Sequence, residues 1–171
     1  MRISIPELSL VLLVGPSGSG KSTFARRHFR PTEVLGSDRF RALLADDEND
    51  QTVTEDAFEV LELVARKRLA AGRLTVLDAT NVYRGPRQKA LRLAREYQRL
   101  ALAIVFDLPE GELLARHAAR GDREMTPHAV TEQVQQLRRA LPELEKEGFR
   151  QVYRLTSVAE VDAASVVREP I

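Results

Sequence analysis

Apolar positions along this chain gather into short solid runs separated by longer stretches where they recur every three or four residues. Residues 8–14 (LSLVLLV), 74–79 (LTVLDA), 101–106 (ALAIVF) and 151–156 (QVYRLT) read as buried strands, with a shorter one at 33–36. Helical periodicity fills the intervals. A helix from about 21 to 30 stops before Pro31, whose ring disfavours helix in the preceding residue. Ser37 can cap the next, with Asp38 in its first turn, and the acid-rich, non-apolar segment 46–52 then forms a surface loop. Thr52 and Glu55 pair as a capping box for a helix with Ala57, Val60, Leu61, Val64 and Arg68 on one face, ended by Gly72. A further helix opens near Pro86 and carries Ala90, Leu91, Ala94 and Tyr97 inward, and another spans 110–120 before Gly121. Thr126-Pro127 starts a long helix, interrupted or bent at Pro142 and ended at Gly148, while Ser157 and Glu160 offer a last capping box before a short tail.

Strands alternating with helices imply an α/β protein whose parallel sheet is covered on both faces. Ligands of such sheets sit beyond the carboxyl ends of the strands. That rule gathers residues 15–22, Ser37-Asp38, the segment 78–81 and Asp107 along one rim. No repeat or linker interrupts the pattern, and 171 residues suit one domain over 1–171.

Composition narrows the class. Apolar residues make up 43% and charged residues 30%, as in a globular protein. A net charge of +1 means that any nucleic-acid contact must come from local arginine clusters. The absence of cysteine excludes disulfides and thiolate metal sites. No apolar run approaches the roughly 20 residues of a membrane span, so no membrane partner is expected and the cytoplasm is the default location.

The chemistry starts at Gly15-Pro16-Ser17-Gly18-Ser19-Gly20-Lys21-Ser22, followed by Thr23, which fills every fixed position of GxxxxGK[S/T] between a strand and a helix. Glycines let successive N–H groups turn inward on a di- or triphosphate, and the following helix adds its positive end. Lys21 is expected to bridge the β- and γ-phosphates of ATP and Ser22 to ligate Mg²⁺. The expected fold is therefore a three-layer P-loop kinase fold, adenylate kinase-like, with a central parallel sheet.

The string Asn-Lys-x-Asp that reads guanine is absent. Asp38 and Arg41 lie three apart and share a helix face, so one can take a proton from an attacking hydroxyl while the other holds an acceptor phosphate. Arg116 and Arg120 stand one turn apart and Arg123 follows Gly121, an arrangement suited to an arginine-bearing lid over a transferring phosphoryl group. Asp78 either holds a Mg²⁺-bound water or anchors the Thr80-Asn81 turn. His28, His117 and His128 have no metal-ligand spacing.

GPSGSGKST, Ser37-Asp38-x-x-Arg41, DDENDQTVT, LDATN and the arginine lid together make the whole chain resemble the kinase module of the bacterial polynucleotide kinase-phosphatase of RNA repair. It is more distantly similar to the phage polynucleotide kinase. The resemblance implies transfer of the ATP γ-phosphate to a 5′-OH end of RNA or DNA. It implies Asp38 as general base, Arg41 on the acceptor phosphate, Lys21 and Ser22 on ATP and Mg²⁺, and Arg116, Arg120 and Arg123 as the lid. It also places Gln51 near the γ-phosphate. In that family a phosphatase and an adenylyltransferase follow the kinase, so this sequence looks like an excised module. A small-molecule P-loop kinase acting on a sugar, shikimate or nucleoside is the alternative. A nucleotide-dependent switch or ATPase without an acceptor is the second, and Asp38 with Arg41 speaks against it.

Overall fold

The aliphatic runs do assemble into one sheet. A computed structural model describes residues 1–121 and 125–171. The strands are β1 (Arg2–Pro6), β2 (Ser9–Val14), β3 (Val34–Gly36), β4 (Thr75–Asp78), β5 (Leu100–Phe106), β6 (Gln151–Leu155) and β7 (Ser165–Glu169). Between them run α1 (Lys21–His28), α2 (Ser37–Ala45), α3 (Thr54–Ala70), α4 (Arg84–Glu96), α5 (Glu110–Ala119), α6 (Pro127–Leu144) and α7 (Val158–Ala163). Five strands pair in the order β3-β4-β2-β5-β6, all parallel, with Leu12 facing Leu77 on one side and Ala103 on the other.

Alternate side chains of these strands feed two cores. Leu10, Leu12 and Val14 of β2, with Ala103 and Val105 of β5, meet α3, α4 and α6 through Leu61, Leu69, Leu91, Leu137 and Leu144. Val11, Leu13, Ile104 and Phe106 point the other way, onto Phe24 and Phe29 around α1 and onto Ile3 and Ile5. Both faces are thereby removed from water, which is why β2 reads as an unbroken apolar run.

Ile3 and Ile5 belong to an unexpected second sheet. β1 pairs in parallel with β7, so the two ends of the chain lie side by side, where only a short tail was expected after the last core strand. The Tyr153 hydroxyl donates to the Ser4 carbonyl at 3.0 Å and accepts from the Ser4 N–H at 3.1 Å, tying this ribbon to β6.

Several expected caps differ. Ser37 is the first residue of α2, not its cap; Gly36 takes that place without a side-chain bond. Thr52 does not cap α3. The Asp50 carboxylate accepts from the Thr52 N–H at 2.9 Å and opens a 3₁₀ turn over Gln51–Val53, which delivers the chain into α3 at Thr54. The buried stripe of α3 is Ala57, Leu61, Ala65 and Leu69, leaving Val60 exposed. α6 passes through Pro142 and ends at Leu144, short of Gly148. Pro142 lies two residues before the helix end, where the chain has almost finished its ladder. The caps at Thr126 and Ser157 form as expected, although Glu160 reaches back to the N–H of Thr156, not of Ser157.

Candidate active site

β2 ends at Val14 and α1 begins at Lys21, and the intervening loop is shaped by backbone angles that few side chains permit. Gly18 and Gly20 take φ of 81° and 92°, so their N–H groups can turn where an L side chain would strain. Gly15 serves a different need. A Cβ there would stand 2.9 Å from both Cβ and the carbonyl oxygen of Phe106, so this glycine lets the loop press against β5. The Gly15 N–H donates to the Thr80 carbonyl at 2.8 Å, and the Asn81 amide nitrogen donates to the Leu13 carbonyl at 2.8 Å.

Asn81 is buried and carries φ of 50°, a conformation asparagine tolerates better than most residues. Its carbonyl accepts from Arg87 Nη1 at 3.1 Å, and the same nitrogen reaches the Val82 carbonyl at 2.7 Å. Arg87 also forks onto Glu147 through bonds of 2.9 and 2.8 Å, with both side chains buried. The phosphate loop is thus braced by a chain of bonds from the end of α6 through the turn after β4. Asn81 stands in the LDATN motif, whereas Arg87 looks in sequence like any cation of an amphipathic helix.

Lys21 is buried and its ammonium donates to the Pro16 carbonyl at 2.9 Å, lying along the loop it is expected to serve. The Ser22 hydroxyl donates to Asp78 Oδ2 at 2.7 Å. Burial pushes the Asp78 carboxyl above the ordinary carboxylate range; the Ser22 hydrogen bond and the Lys21 charge oppose that shift, and Asp38 adds to it. Ser22 and Asp78 together present a hydroxyl and a carboxylate, both hard oxygen donors, at the mouth of the loop. This donor set fits Mg²⁺ that is also held by phosphates and water.

The opposite wall is α2. Asp38 is partly exposed and ion-paired with Arg41, whose guanidinium is buried and also donates through Nε to the Glu48 carbonyl at 2.9 Å. The backbone of the acid-rich loop therefore orients Arg41. Gln51 follows in the 3₁₀ turn, its amide donating to the Asn49 carbonyl at 3.4 Å and its oxygen accepting from the Thr54 hydroxyl at 3.3 Å.

A cleft of about 1320 Å³ joins these walls and is lined by Lys21, Ser22, Asp38, Arg41, Gln51 and Asp78, with Arg120 at its far side. A second cavity of about 350 Å³ adjoins it between α1, α5 and α7, lined by Ser19, Thr23, Arg116, Arg120 and Val158 among others. Arg116 Nη1 donates to the Gly18 carbonyl at 2.9 Å, so α5 is docked on the phosphate loop. Arg120 borders both cavities. Arg123 lies outside the described residues. Asp107, on the expected rim, is engaged by Arg154 Nε at 2.9 Å and lines neither cavity. On α6, Gln133 accepts from the Ser17 N–H at 2.8 Å through Oε1, a contact that no motif in the sequence signals. Among the described residues no group of three or more His, Cys, Asp or Glu forms a metal cluster, and no helix is long and apolar enough to cross a membrane.

Residues 10–144 match the family model described as AAA domain. A chain in the Pnkp1/Rnl/Hen1 RNA repair complex is 27% identical, with a TM-score of 0.67 over 84% of this chain and 47% of that one. This chain thus spans about half the length of that one. Shikimate kinase from Acinetobacter baumannii, solved with shikimate, is 20% identical at a TM-score of 0.56, covering 90% and 87% of the two chains. A gluconokinase from Sinorhizobium meliloti 1021 is 17% identical at 0.54, covering 88% and 83%. The parallel sheet with helices on both sides is the fold these kinases share.

Proposed function

We propose that this chain, which belongs to the AAA domain family, transfers the γ-phosphate of ATP to the 5′-hydroxyl end of RNA or DNA. The observation that carries the reading is the placement of Asp38 and Arg41, side by side on α2, across one cleft from Lys21 and Ser22. A switch or ATPase without an acceptor has no use for that pair. The identity to the repair-complex chain, together with DDENDQT and LDATN, favours a polynucleotide over a sugar or shikimate acceptor.

In this reading residues 1–171 form one kinase domain, and Asp38 takes the proton of the 5′-OH as its oxygen attacks the γ-phosphorus. The new O–P bond forms as the bond to the β-γ bridging oxygen breaks and ADP leaves. Lys21 leaves the Pro16 carbonyl for the β- and γ-phosphates, which the N–H groups of Gly18, Ser19 and Gly20 also receive. Ser22, with Asp78, would hold Mg²⁺, whose charge offsets that of the phosphates when bound. Arg116 and Arg120 cover the phosphates from the lid side, Thr23 and Ser19 border the cavity suited to the rest of the nucleotide, and Gln51 approaches the γ-phosphate. Arg41 holds the phosphate 3′ of the attacked nucleotide, and a covalently linked phosphatase and adenylyltransferase or ligase would complete the repair enzyme.

Labelled ATP offered with a 5′-OH oligonucleotide, its 5′-phosphorylated control and a panel of sugars and shikimate tests the reading. Label is expected on the 5′-OH oligonucleotide alone. Transfer to a member of the panel, and none to the oligonucleotide, would establish the small-molecule alternative.

A further inference from the structure

Phe58 is a wall of the cleft to which the reaction above gives no role. It stands in α3, one helix turn past Thr54, and lines the same cleft as Asp38, Arg41, Ala42 and Gln51. Phe58 is 38% exposed, whereas Phe24, Phe29, Phe40, Phe106 and Phe149, the other five phenylalanines of the chain, are all buried. The large apolar residues exposed elsewhere on α2 and α3, Leu43, Leu44, Val60 and Leu63, do not line the cleft. An aromatic side chain left partly open to water in the cleft that also holds a carboxylate and a guanidinium is complementary to a ligand that carries a flat π-system together with a hydroxyl and a phosphate. A nucleotide end has that combination; a saturated sugar lacks the flat face.

We propose that Phe58 is a stacking platform for a nucleobase of the acceptor end. This rests on the polynucleotide reading above and gives it a base-binding subsite that accepts any base, since every base offers a π-face. Arg41 and Phe58 then divide the acceptor between them, backbone to one and base to the other.

The test measures kcat/KM of the wild type, Phe58→Ala and Phe58→Tyr on a short 5′-OH oligonucleotide and on versions with one abasic nucleotide at the first or second position. The wild type is expected to lose about tenfold at one abasic position, the size usual for a lost base–aromatic stack. Phe58→Ala should lose as much on the intact acceptor, become indifferent to the same abasic substitution and keep its KM for ATP, while Phe58→Tyr should behave as wild type. An equal penalty for Phe58→Ala on intact and abasic acceptors, or a wild type indifferent to abasic sites, would overturn the platform alone. The abasic comparison on the wild type requires no variant to fold. A wild type that phosphorylates none of the oligonucleotides would overturn both the platform and the polynucleotide reading.

Discussion

At the scale of single residues, the site depends on a few charges whose environments differ. The Lys21 ammonium rests on a carbonyl of its own loop and its charge is expected to serve the phosphates, so Lys21→Ala should abolish phosphoryl transfer with little change in melting temperature. Near-native turnover in that variant would remove the loop from the mechanism. Asp38→Asn should lower turnover at least about a hundredfold while ATP affinity holds, as general bases supply 10²- to 10⁴-fold. Collapse of ATP affinity with turnover intact would make Asp38 part of the nucleotide site. Asp78 supplies a pH dependence. Burial raises its folded pKa above the unfolded value, so the folded state binds the proton more tightly and stability from this group falls as pH rises through the folded value. Asp78→Asn should therefore flatten the pH dependence of unfolding without nucleotide, most visibly above the unfolded carboxylate range of about 3.9. An unchanged pH profile would assign the dependence elsewhere. The phosphate loop and the α2 pair were legible in sequence because spacing alone places those side chains on one turn or one helix face. Asp78 was legible as an acid at a strand end, but its contact with Ser22 spans 56 positions and follows only from strand order.

At the scale of elements, α5 contacts the phosphate loop directly and α4 reaches it through Asn81. Arg116 is docked on Gly18 from α5, and Arg120 borders both cavities. Arg116→Ala and Arg120→Ala should each depress turnover more than nucleotide binding, if closure favours the transition state. Equal losses in both quantities, measured by steady-state kinetics and nucleotide titration, would indicate simple anchoring. Arg87 of α4 braces the loop through Asn81 while its charge is matched by Glu147. Removing one partner strands a buried charge, so Arg87→Ala should cost about 3–5 kcal/mol of stability in denaturant unfolding. A loss under about 1 kcal/mol would show that the pair is not structural. Helix α3 differs from expectation at its start because the Asp50 carboxylate accepts from the Thr52 N–H and opens a 3₁₀ turn where a Thr52 cap was expected.

At the scale of the whole molecule, the central sheet was readable from its apolar runs, since strands buried on both faces leave an unambiguous signature. The β1–β7 ribbon was not. Arg2–Pro6 alternates Ile3 and Ile5 with Arg2, Ser4 and Pro6 over only five positions, and its partner lies at the other end of the chain, where no local pattern can announce it. Ile3 and Ile5 of this ribbon join the core that also packs Phe24 and Ala25 of α1, the helix that follows the phosphate loop. The proposed function rests on α2 and the phosphate loop lining one cleft, and assigns Arg41 to the acceptor. A nearly neutral protein that assigns the acceptor phosphate to Arg41 should read only the first nucleotides. Binding should improve little beyond roughly five nucleotides, with a salt slope of about one to three phosphate contacts. The most direct test is kcat/KM for the wild type and Arg41→Ala on a 5′-OH nucleoside, its 3′-monophosphate and an oligonucleotide ladder. Acceptor recognition by Arg41 predicts a penalty far larger on the 3′-monophosphate and the oligonucleotides than on the free nucleoside. A constant penalty across the series would contradict it, placing Arg41 in the service of Asp38, to which it is already paired.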